Sequence, residues 1–251
     1  MQIGLIGAGS IARALARGWR QPIICADPIG ARAQELAEEV GGRVAASNRE
    51  VARSADLVVL CHKPAQLAQV AGEVASDARA VASVLALTPL ATVKQAYPRR
   101  PVYRFIPSLT AEVRAGAIVQ AHDEPQDPLL DGEVRQLFSE LGALVVLHDR
   151  LLDVAMGLMS CAPAYLALVA EAQVDAGIRL GIDADHGAQL VIETLAGTAQ
   201  LLKARNYDTL ALRRAVCSPG GATARGVDAL ERAGIRSAFS AALDAAVNGR
   251  T

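Results

Sequence analysis

Two glycines close to the N-terminus restrict the possible folds of this chain more than any other feature of its sequence. Residues 7–12 read Gly-Ala-Gly-Ser-Ile-Ala, directly after the apolar run Gln2–Ile6 and at the start of a helical pattern. In this order Gly7 permits a tight turn, Gly9 lets the backbone approach a pyrophosphate, and the small Ala12 lets the helix pack on the strand. Free N–H groups at the helix start favour an anion. The pattern predicts a dinucleotide-binding unit; the alternative is a glycine turn in an α/β protein that binds no nucleotide.

Short apolar runs alternate with helical patterns up to about residue 148. The predicted strands are Gln2–Ile6, Pro22–Ala26, Leu57–Cys61, Ala80–Leu85, Pro101–Ile106, Ala117–Ala121 and Ala143–Leu147. The predicted helices between them are Ile11–Arg20, Gly30–Val40, Ala65–Val74, Leu90–Ala96 and Pro128–Leu141. Continuous apolar strands that alternate with helices are typical of a parallel sheet with right-handed crossovers. Residues 1–148 are therefore predicted to form an α/β Rossmann domain with a doubly wound sheet.

After His148 the pattern is helical throughout. The predicted helices are Leu151–Met159, Pro163–Leu180, Ala184–Ala204, Thr209–Val216, Ala222–Ala233 and Ile235–Asn248. Several are apolar on more than one face, which indicates burial against another chain as well as against their own domain. Residues 149–251 are predicted to form an all-helical domain, and a homodimer through these helices is the simplest way to cover them.

Composition excludes several classes of function. The net charge of −1 and the 3% of aromatic residues argue against nucleic acid as a partner. No apolar run reaches the roughly 18 residues of a membrane helix, and the N-terminal Met-Gln-Ile-Gly lacks the basic residues of a signal peptide. Four scattered cysteines without metal-type spacing indicate reduced thiols and no metal site. We expect a cytoplasmic protein that does not bind membranes.

Asp27 bears on the choice of dinucleotide. It ends the second predicted strand, 20 residues after Gly7. An acidic side chain there accepts hydrogen bonds from the adenosine ribose and repels a 2′-phosphate, so NADH is slightly favoured over NADPH. Two observations leave NADPH open: Asp27 precedes Pro28, a position that also suits the start of a turn, and Arg32 is close.

A second constellation lies between two predicted helices in the C-terminal half. Residues 217–223 read Cys-Ser-Pro-Gly-Gly-Ala-Thr, in which Gly220 and Gly221 free the backbone for a tight turn. The following helix begins with unpaired N–H donors, and Ser218 and Thr223 add hydroxyl groups. Such a turn suits a substrate carboxylate. The alternative is a helix-capping loop, because Ser and Thr are also favoured N-caps.

Five segments together resemble the pyrroline-5-carboxylate reductase family, in matching order and nearly end to end. They are Gly4–Ala12, Leu60–Pro64, Arg104–Pro107, Pro163–Tyr165 and Ser218–Thr223. The resemblance implies a helical domain that dimerises by interleaving helices, sometimes in larger rings. It also implies NAD(P)H-dependent hydride transfer to the C=N carbon of a small cyclic imino acid, 1-pyrroline-5-carboxylate, which yields proline. The alternatives are another cyclic imino acid as substrate, or a nucleotide-binding homologue without catalytic activity.

The resemblance also implies roles for individual residues. Gly9, Ser10 and Ile11 would hold the pyrophosphate, and Asn48 with Cys61–Pro64 would line the adenosine and nicotinamide sides. The substrate carboxylate would be bound by residues 218–223, with Thr223 also near the ring nitrogen. The predicted catalytic residues are thus Thr223 and Ser218, and the predicted substrate-binding residues are Ser218, Gly220, Gly221, Ala222 and Thr223. The predicted cofactor-binding residues are Gly7, Ala8, Gly9, Ser10, Ile11, Asp27, Asn48, Cys61, His62, Lys63 and Pro64.

Three segments depart from the pattern of the family where it surrounds the nicotinamide and the substrate ring. Leu85-Ala86-Leu87-Thr88 stands where the family has Ala-Ala-Gly, and Ile106-Pro107-Ser108-Leu109-Thr110 stands for Met-Pro-Asn-Thr-Pro. Met159-Ser160-Cys161-Ala162 stands for Ser-Gly-Ser-Gly. The bulkier Leu109 and Met159 leave two outcomes open: a pocket reshaped for another imine, or a loss of catalysis.

Overall fold

Eight strands form one sheet in the first of the two units into which the contacts of this chain divide. The computed structural model describes residues 1–249; the units are Met1–Pro163 and the residues from Ala164 onward. The strand order is β3-β2-β1-β4-β5-β6-β7-β8, and every neighbouring pair is parallel except β6 and β7. The strands are β1 (Ile3–Ile6), β2 (Ile24–Ala26), β3 (Arg43–Val44), β4 (Leu57–Leu60), β5 (Val81–Ser83), β6 (Val102–Ile106), β7 (Ala117–Ala121) and β8 (Ala143–Leu147). The predicted doubly wound Rossmann sheet is confirmed.

Both faces of the sheet are covered. Along β4, Leu57 and Val59 belong to one buried cluster, whereas Val58 and Leu60 belong to the cluster on the other face. This two-sided burial explains why the parallel strands read as unbroken apolar runs. The helices of the unit are α1 (Ser10–Trp19), α2 (Gly30–Val40), α3 (Asn48–Ser54), α4 (Leu67–Val74), α5 (Leu90–Ala96), α6 (Pro128–Ser139) and α7 (Leu152–Met159).

One strand and one α-helix were missed by the sequence pattern, β3 and α3. The strand β3 has two residues, both exposed, so it carries no periodic apolar signal. The helix α3 is short, and it begins where the Ser47 hydroxyl accepts a hydrogen bond from the N–H of Glu50 at 3.2 Å. Such a helix depends on its cap and on packing rather than on intrinsic propensity.

An ion cluster around the buried Arg104 joins β6 to α7 and to the residues just before it. The side chain of Arg104 is 1% exposed. Its Nη1 donates to Asp149 Oδ1 at 2.7 Å and its Nη2 donates to Asp153 Oδ1 at 2.5 Å. The other oxygen of Asp149 accepts the N–H of Leu90 at 2.9 Å, so the cluster also fixes the start of α5. One guanidinium therefore ties together three segments that are distant in sequence.

The described residues of the second unit form helices joined by short loops, as predicted. Its helices are α8 (Ala162–Arg179, which begins two residues before the unit), α9 (Ala184–Ala204), α10 (Thr209–Val216), α11 (Ala222–Arg232) and α12 (Ile235–Asn248). Within the described part of this unit only Ala170 and Gly187 are buried. Large apolar side chains remain exposed, including Leu168, Leu180 and Leu190. The predicted helical domain extends to Thr251, and its last two residues lie outside the described residues.

One helical stretch among the described residues, Asp149–Arg179, is long and apolar enough to cross a membrane by length and composition alone. The stretch is not one continuous α-helix, because α7 ends at Met159 and α8 begins at Ala162. Its first part also carries Asp149 and Asp153, the carboxylates that hold Arg104. Asp149 and Asp153 thus hold the start of this stretch against β6 of the same chain.

Candidate functional site

A cleft of about 520 Å³ opens at the carboxyl ends of β1, β2, β4 and β5. The strand order runs away from β1 in both directions here, towards β2 on one side and β4 on the other. In open parallel sheets such a reversal leaves a crevice where ligands bind. The residues that line it are Ile6, Gly7, Gly9, Ile11, Asp27, Pro28, Ile29, Arg32, Asn48, Cys61, His62, Lys63, Pro64, Gln66, Gln69, Val70, Val84, Leu85 and Ala86.

Gly7 forms the sharp turn at the bottom of the cleft. Its φ of +103° is one that residues with a side chain rarely adopt. A Cβ at this position would also lie 2.7 Å from the carbonyl oxygen of Cys61. Both the backbone angle and the close approach of the two loops therefore require glycine.

The start of α1 presents free N–H groups at the cleft. Its N-cap is Gly9, and no side chain caps the helix. A Cβ on Gly9 would meet no protein atom within 4 Å, so packing within the chain does not require glycine here. Close approach of a phosphate group to the backbone does require it. Gly9 and Ile11 line the cleft, while Ser10 is exposed at the first position of the helix, so these residues fit a dinucleotide pyrophosphate.

Asp27 has a structural role in addition to starting the turn that the sequence indicated. Its Oδ2 accepts the N–H of Ala8 at 2.8 Å, and its Oδ1 accepts the N–H of Ile29 at 2.8 Å. The carboxylate therefore both starts a turn after β2 and holds the glycine-rich loop in place. Ala8 is fully buried, so its contribution is to the shape of the loop. Asp27 lines the cleft as well, and its remaining lone pairs can accept ribose hydroxyls.

Positive charge lies on both sides of the cleft. Arg32 and Lys63 are exposed lining residues. Among the described residues, neither has a carboxylate within ion-pairing distance, unlike Arg13 and Arg17 nearby. Two unpaired cations beside a helix N-terminus favour an anionic ligand.

Asn48 and His62 form part of the wall next to α4. The Asn48 amide donates to Glu73 Oε2 at 2.7 Å, which leaves its oxygen as an acceptor. His62 Nδ1 lies 2.9 Å from the carbonyl oxygen of Lys63, so this nitrogen carries the proton of the neutral ring. Its Nε2 is buried without a hydrogen-bond partner among the described residues. Burial lowers the pKa of His62, against smaller opposing effects of the Lys63 carbonyl and of Glu73. His62 is thus neutral at pH 7 and belongs to the wall.

The turn at residues 218–221 lies in the second unit, between α10 and α11. Gly220 has a φ of +70°, which favours glycine, and a Cβ on Gly221 would lie 2.3 Å from Ser218 Oγ, so a larger residue there would displace the Ser218 hydroxyl. Gly221 is the N-cap of α11, and no side chain caps this helix. Neither Ser218 nor Thr223 therefore serves as the helix cap that the alternative interpretation requires. Both are exposed, beside unpaired N–H groups at the helix start.

The three departing segments all lie in the first unit. Met159 and Cys161 pack against the core cluster that contains Leu85 and Ile106. Ser108 is buried, and its hydroxyl accepts the N–H of Thr110 at 3.5 Å. Leu87 and Leu109 instead remain exposed, at 53% and 47%.

Another cavity, of about 540 Å³, surrounds the loop that follows β7. None of the predicted site residues lines it. Its polar groups are largely paired, as in the hydrogen bond of Tyr103 to Asp131 at 2.5 Å and the ion pair of Lys94 with Asp123. The cleft at β1 therefore remains the better candidate for the cofactor.

Comparisons with known proteins identify the family of this chain. The family described as pyrroline-5-carboxylate reductase dimerisation matches residues 149–250, and the family described as NADP oxidoreductase, coenzyme F420-dependent, matches residues 2–87. A pyrroline-5-carboxylate reductase of Synechocystis sp. is 32% identical over 255 residues, which cover 98% of this chain and 96% of that protein. The chain belongs to the pyrroline-5-carboxylate reductase family.

Solved structures share the fold over almost the whole chain. The 1-pyrroline-5-carboxylate reductase of Streptococcus pyogenes has a TM-score of 0.88 and 26% identity, and the match covers 99% of this chain and 97% of that one. The pyrroline carboxylate reductase of Plasmodium falciparum, solved with NADP bound, has a TM-score of 0.89 at 21% identity, with coverage of 99% and 96%. The family resemblance inferred from the sequence motifs is confirmed.

Several lining residues of the cleft escaped the sequence analysis. Gln66 and Gln69 follow Pro64 at the start of α4 and face the cleft, and Val84 lines its other end beside Leu85 and Ala86, which the sequence analysis had placed near the nicotinamide. The available signal was their position, because residues just beyond the carboxyl end of a parallel strand line the crevice of such a sheet.

Proposed function

We propose that this protein reduces the C=N bond of 1-pyrroline-5-carboxylate to give proline, with NAD(P)H as the hydride donor. One hydride and one proton are added to the imine, and NAD(P)H is oxidised to NAD(P)⁺. The observation that carries the proposal is the pair of uncapped helix N-termini, one behind Gly9 and one behind Gly221, on a chain whose family acts on this imine.

The residues of the chain have different parts in this reaction. When bound, the nicotinamide cofactor supplies the hydride. The N–H groups of Ser10 and Ile11 hold the pyrophosphate, and the neutral His62 shapes the wall of the cleft. The turn at Ser218–Thr223 binds the substrate carboxylate through backbone donors and hydroxyls, which orients the imine carbon.

The decisive experiment follows the oxidation of NADH and NADPH at 340 nm with 1-pyrroline-5-carboxylate and with a panel of other cyclic imines. Turnover of 1-pyrroline-5-carboxylate supports the proposal. Turnover of another cyclic imine alone supports a divergent imine reductase instead. Binding of the reduced cofactor without turnover of any imine supports a homologue that no longer catalyses.

The Thr223→Ala variant tests the carboxylate turn. We expect KM for the imine to rise about tenfold or more, because the loss of a hydrogen bond to a charged group costs roughly 1.5–3 kcal/mol. The Kd for NADPH should not change, and Thr209→Ala, at the start of α10, serves as the matched control. A KM unchanged from that of the parent enzyme contradicts the assignment of Thr223.

Arg32→Ala tests the choice of cofactor. The unpaired guanidinium at the adenosine side would attract a 2′-phosphate, whereas the Asp27 carboxylate favours a free ribose hydroxyl. We expect the variant to bind NADPH about tenfold more weakly while its Kd for NADH stays within a factor of two. Fluorescence titration with both cofactors measures these Kd values, and Arg13→Ala, which removes an ion-paired arginine, is the control. An equal loss of affinity for both cofactors would show that Arg32 does not contact the 2′-phosphate. The slight preference for NADH stays a prediction.

We also propose a homodimer through the helices of the second unit, with a larger ring as one possible assembly. The match to the dimerisation family over residues 149–250 supports association, as do the exposed side chains of Leu168, Leu180 and Leu190. A cytoplasmic location is also proposed. Analytical ultracentrifugation tests the homodimer, and a monomer at micromolar concentration would contradict it.

A further inference from the structure

Leu87 adopts a backbone conformation that leucine rarely takes. Its φ is +52°, and the other non-glycine residues with positive φ in the described chain are Arg20, Arg99, Arg114, Asn206 and Tyr207. Leu87 is thus the only aliphatic residue of this set. The left-handed region is unfavourable for such a side chain, and strain of this kind persists only where the surroundings enforce it.

The turn around Leu87 is held from both sides. On one side the Ser83 hydroxyl accepts the N–H of Leu85 at 3.3 Å. On the other, the hydroxyl of Thr88, which is buried, donates to the carbonyl of Ala86 at 2.9 Å, and the N–H of Leu90 is bound to Asp149. These contacts fix the backbone on both sides of Leu87, while its own side chain stays 53% exposed. Packing therefore does not explain why a leucine occupies this position.

The position of the turn points to the reacting end of the cleft. Val84, Leu85 and Ala86 line the cleft at the end of β5, whereas Asp27 and Arg32 line it at the end of β2. Because the glycine loop after β1 lies between them, a dinucleotide with its adenosine near β2 places its nicotinamide near β5. Leu109, also exposed, follows the adjacent strand β6, so two leucines stand at neighbouring strand ends.

We propose that Leu87 is a ring-size filter: its side chain narrows the space beside the nicotinamide so that a five-membered cyclic imino acid fits and a six-membered one is rejected. The inference rests on the proposed function. The leucine adds an isobutyl group directly after Ala86, the last residue of this segment that lines the cleft. Discrimination by one methylene group is typically about 10–200-fold in kcat/KM.

Two variants separate bulk from backbone strain. Leu87→Ala removes the bulk and keeps a side chain at positive φ, whereas Leu87→Gly removes both. Both variants should lower the preference of the enzyme for the five-membered over the six-membered imine by about tenfold or more in kcat/KM. Only Leu87→Gly should also raise Tm, by roughly 1–4 °C. Arg20→Gly, remote from the cleft and with φ +56°, is the matched control and should raise Tm without changing the preference.

A binding measurement keeps this test independent of turnover. The saturated five- and six-membered ring amino acids are titrated calorimetrically into each variant in the presence of NADP⁺. We expect the parent protein to bind only the smaller ring with measurable affinity, and both Leu87 variants to bind both rings. An unchanged ratio of the two affinities overturns the filter. If the small ring binds selectively but no imine is reduced, the filter stands and the proposed function fails.

Discussion

Arg104→Met is expected to lower the free energy of unfolding by about 3–5 kcal/mol, because it breaks a buried ion cluster from one side. The Arg104 side chain is 1% exposed, and its guanidinium donates hydrogen bonds to carboxylate oxygens of both Asp149 and Asp153. Without it, two partly buried carboxylates lose their shared counter-charge. Asp149 would also orient the N–H of Leu90 less firmly, so the loss extends to the start of α5 and the turn before it.

Urea unfolding followed by circular dichroism measures this loss. Arg79→Met is the matched control, because its guanidinium is 69% exposed and pairs with Asp56 at the surface. Exposed pairs contribute at most about 1 kcal/mol, so this variant should unfold near the parent midpoint. If Arg104→Met also lost less than about 1 kcal/mol, the cluster would not hold these segments together.

Gly7→Ala is expected to weaken NADPH binding about 10–100-fold. The loop of the variant relaxes away from the conformation that binds, and NADPH must restore that strained conformation at a cost of roughly 1–3 kcal/mol. An alanine resists a φ of +103°, and its Cβ would lie 2.7 Å from the Cys61 carbonyl oxygen. The loop relieves both by moving away from the end of β4. The N–H groups behind Gly9 then no longer face the pyrophosphate unless the ligand pulls the loop back.

Fluorescence titration with NADPH measures the effect, and thermal unfolding shows whether the variant folds. Gly72→Ala is the control, since Gly72 lies within α4 and a Cβ there meets no atom within 4 Å. Alanine should stabilise that helix and leave the Kd for NADPH unchanged. A Kd for Gly7→Ala within twofold of the parent would exclude the close approach of the two loops as a requirement for binding.

Much of the secondary structure follows from local pattern. The strands β7 and β8 and the helices α9, α10 and α12 have the bounds predicted for them. Their apolar periodicity is strong, and caps such as Asp183 and Asp208 mark where helices begin. By contrast, β3 is two exposed residues that pair with β2 only because the sheet is already there.

The sequence alone determined that a dinucleotide cleft exists and which loops form it. Gly7 and Gly220 have positive φ angles, which are local backbone requirements that residue type indicates. Only the tertiary structure decided that Asp27 holds the Ala8 N–H, that Arg104 pairs with carboxylates 45 and 49 residues away, and that Leu87 is strained yet exposed. Such contacts depend on which strand ends become neighbours in the sheet. Hydrophobic periodicity gives the faces of an element, but it does not give the partner of a buried charge or the sign of a single φ angle.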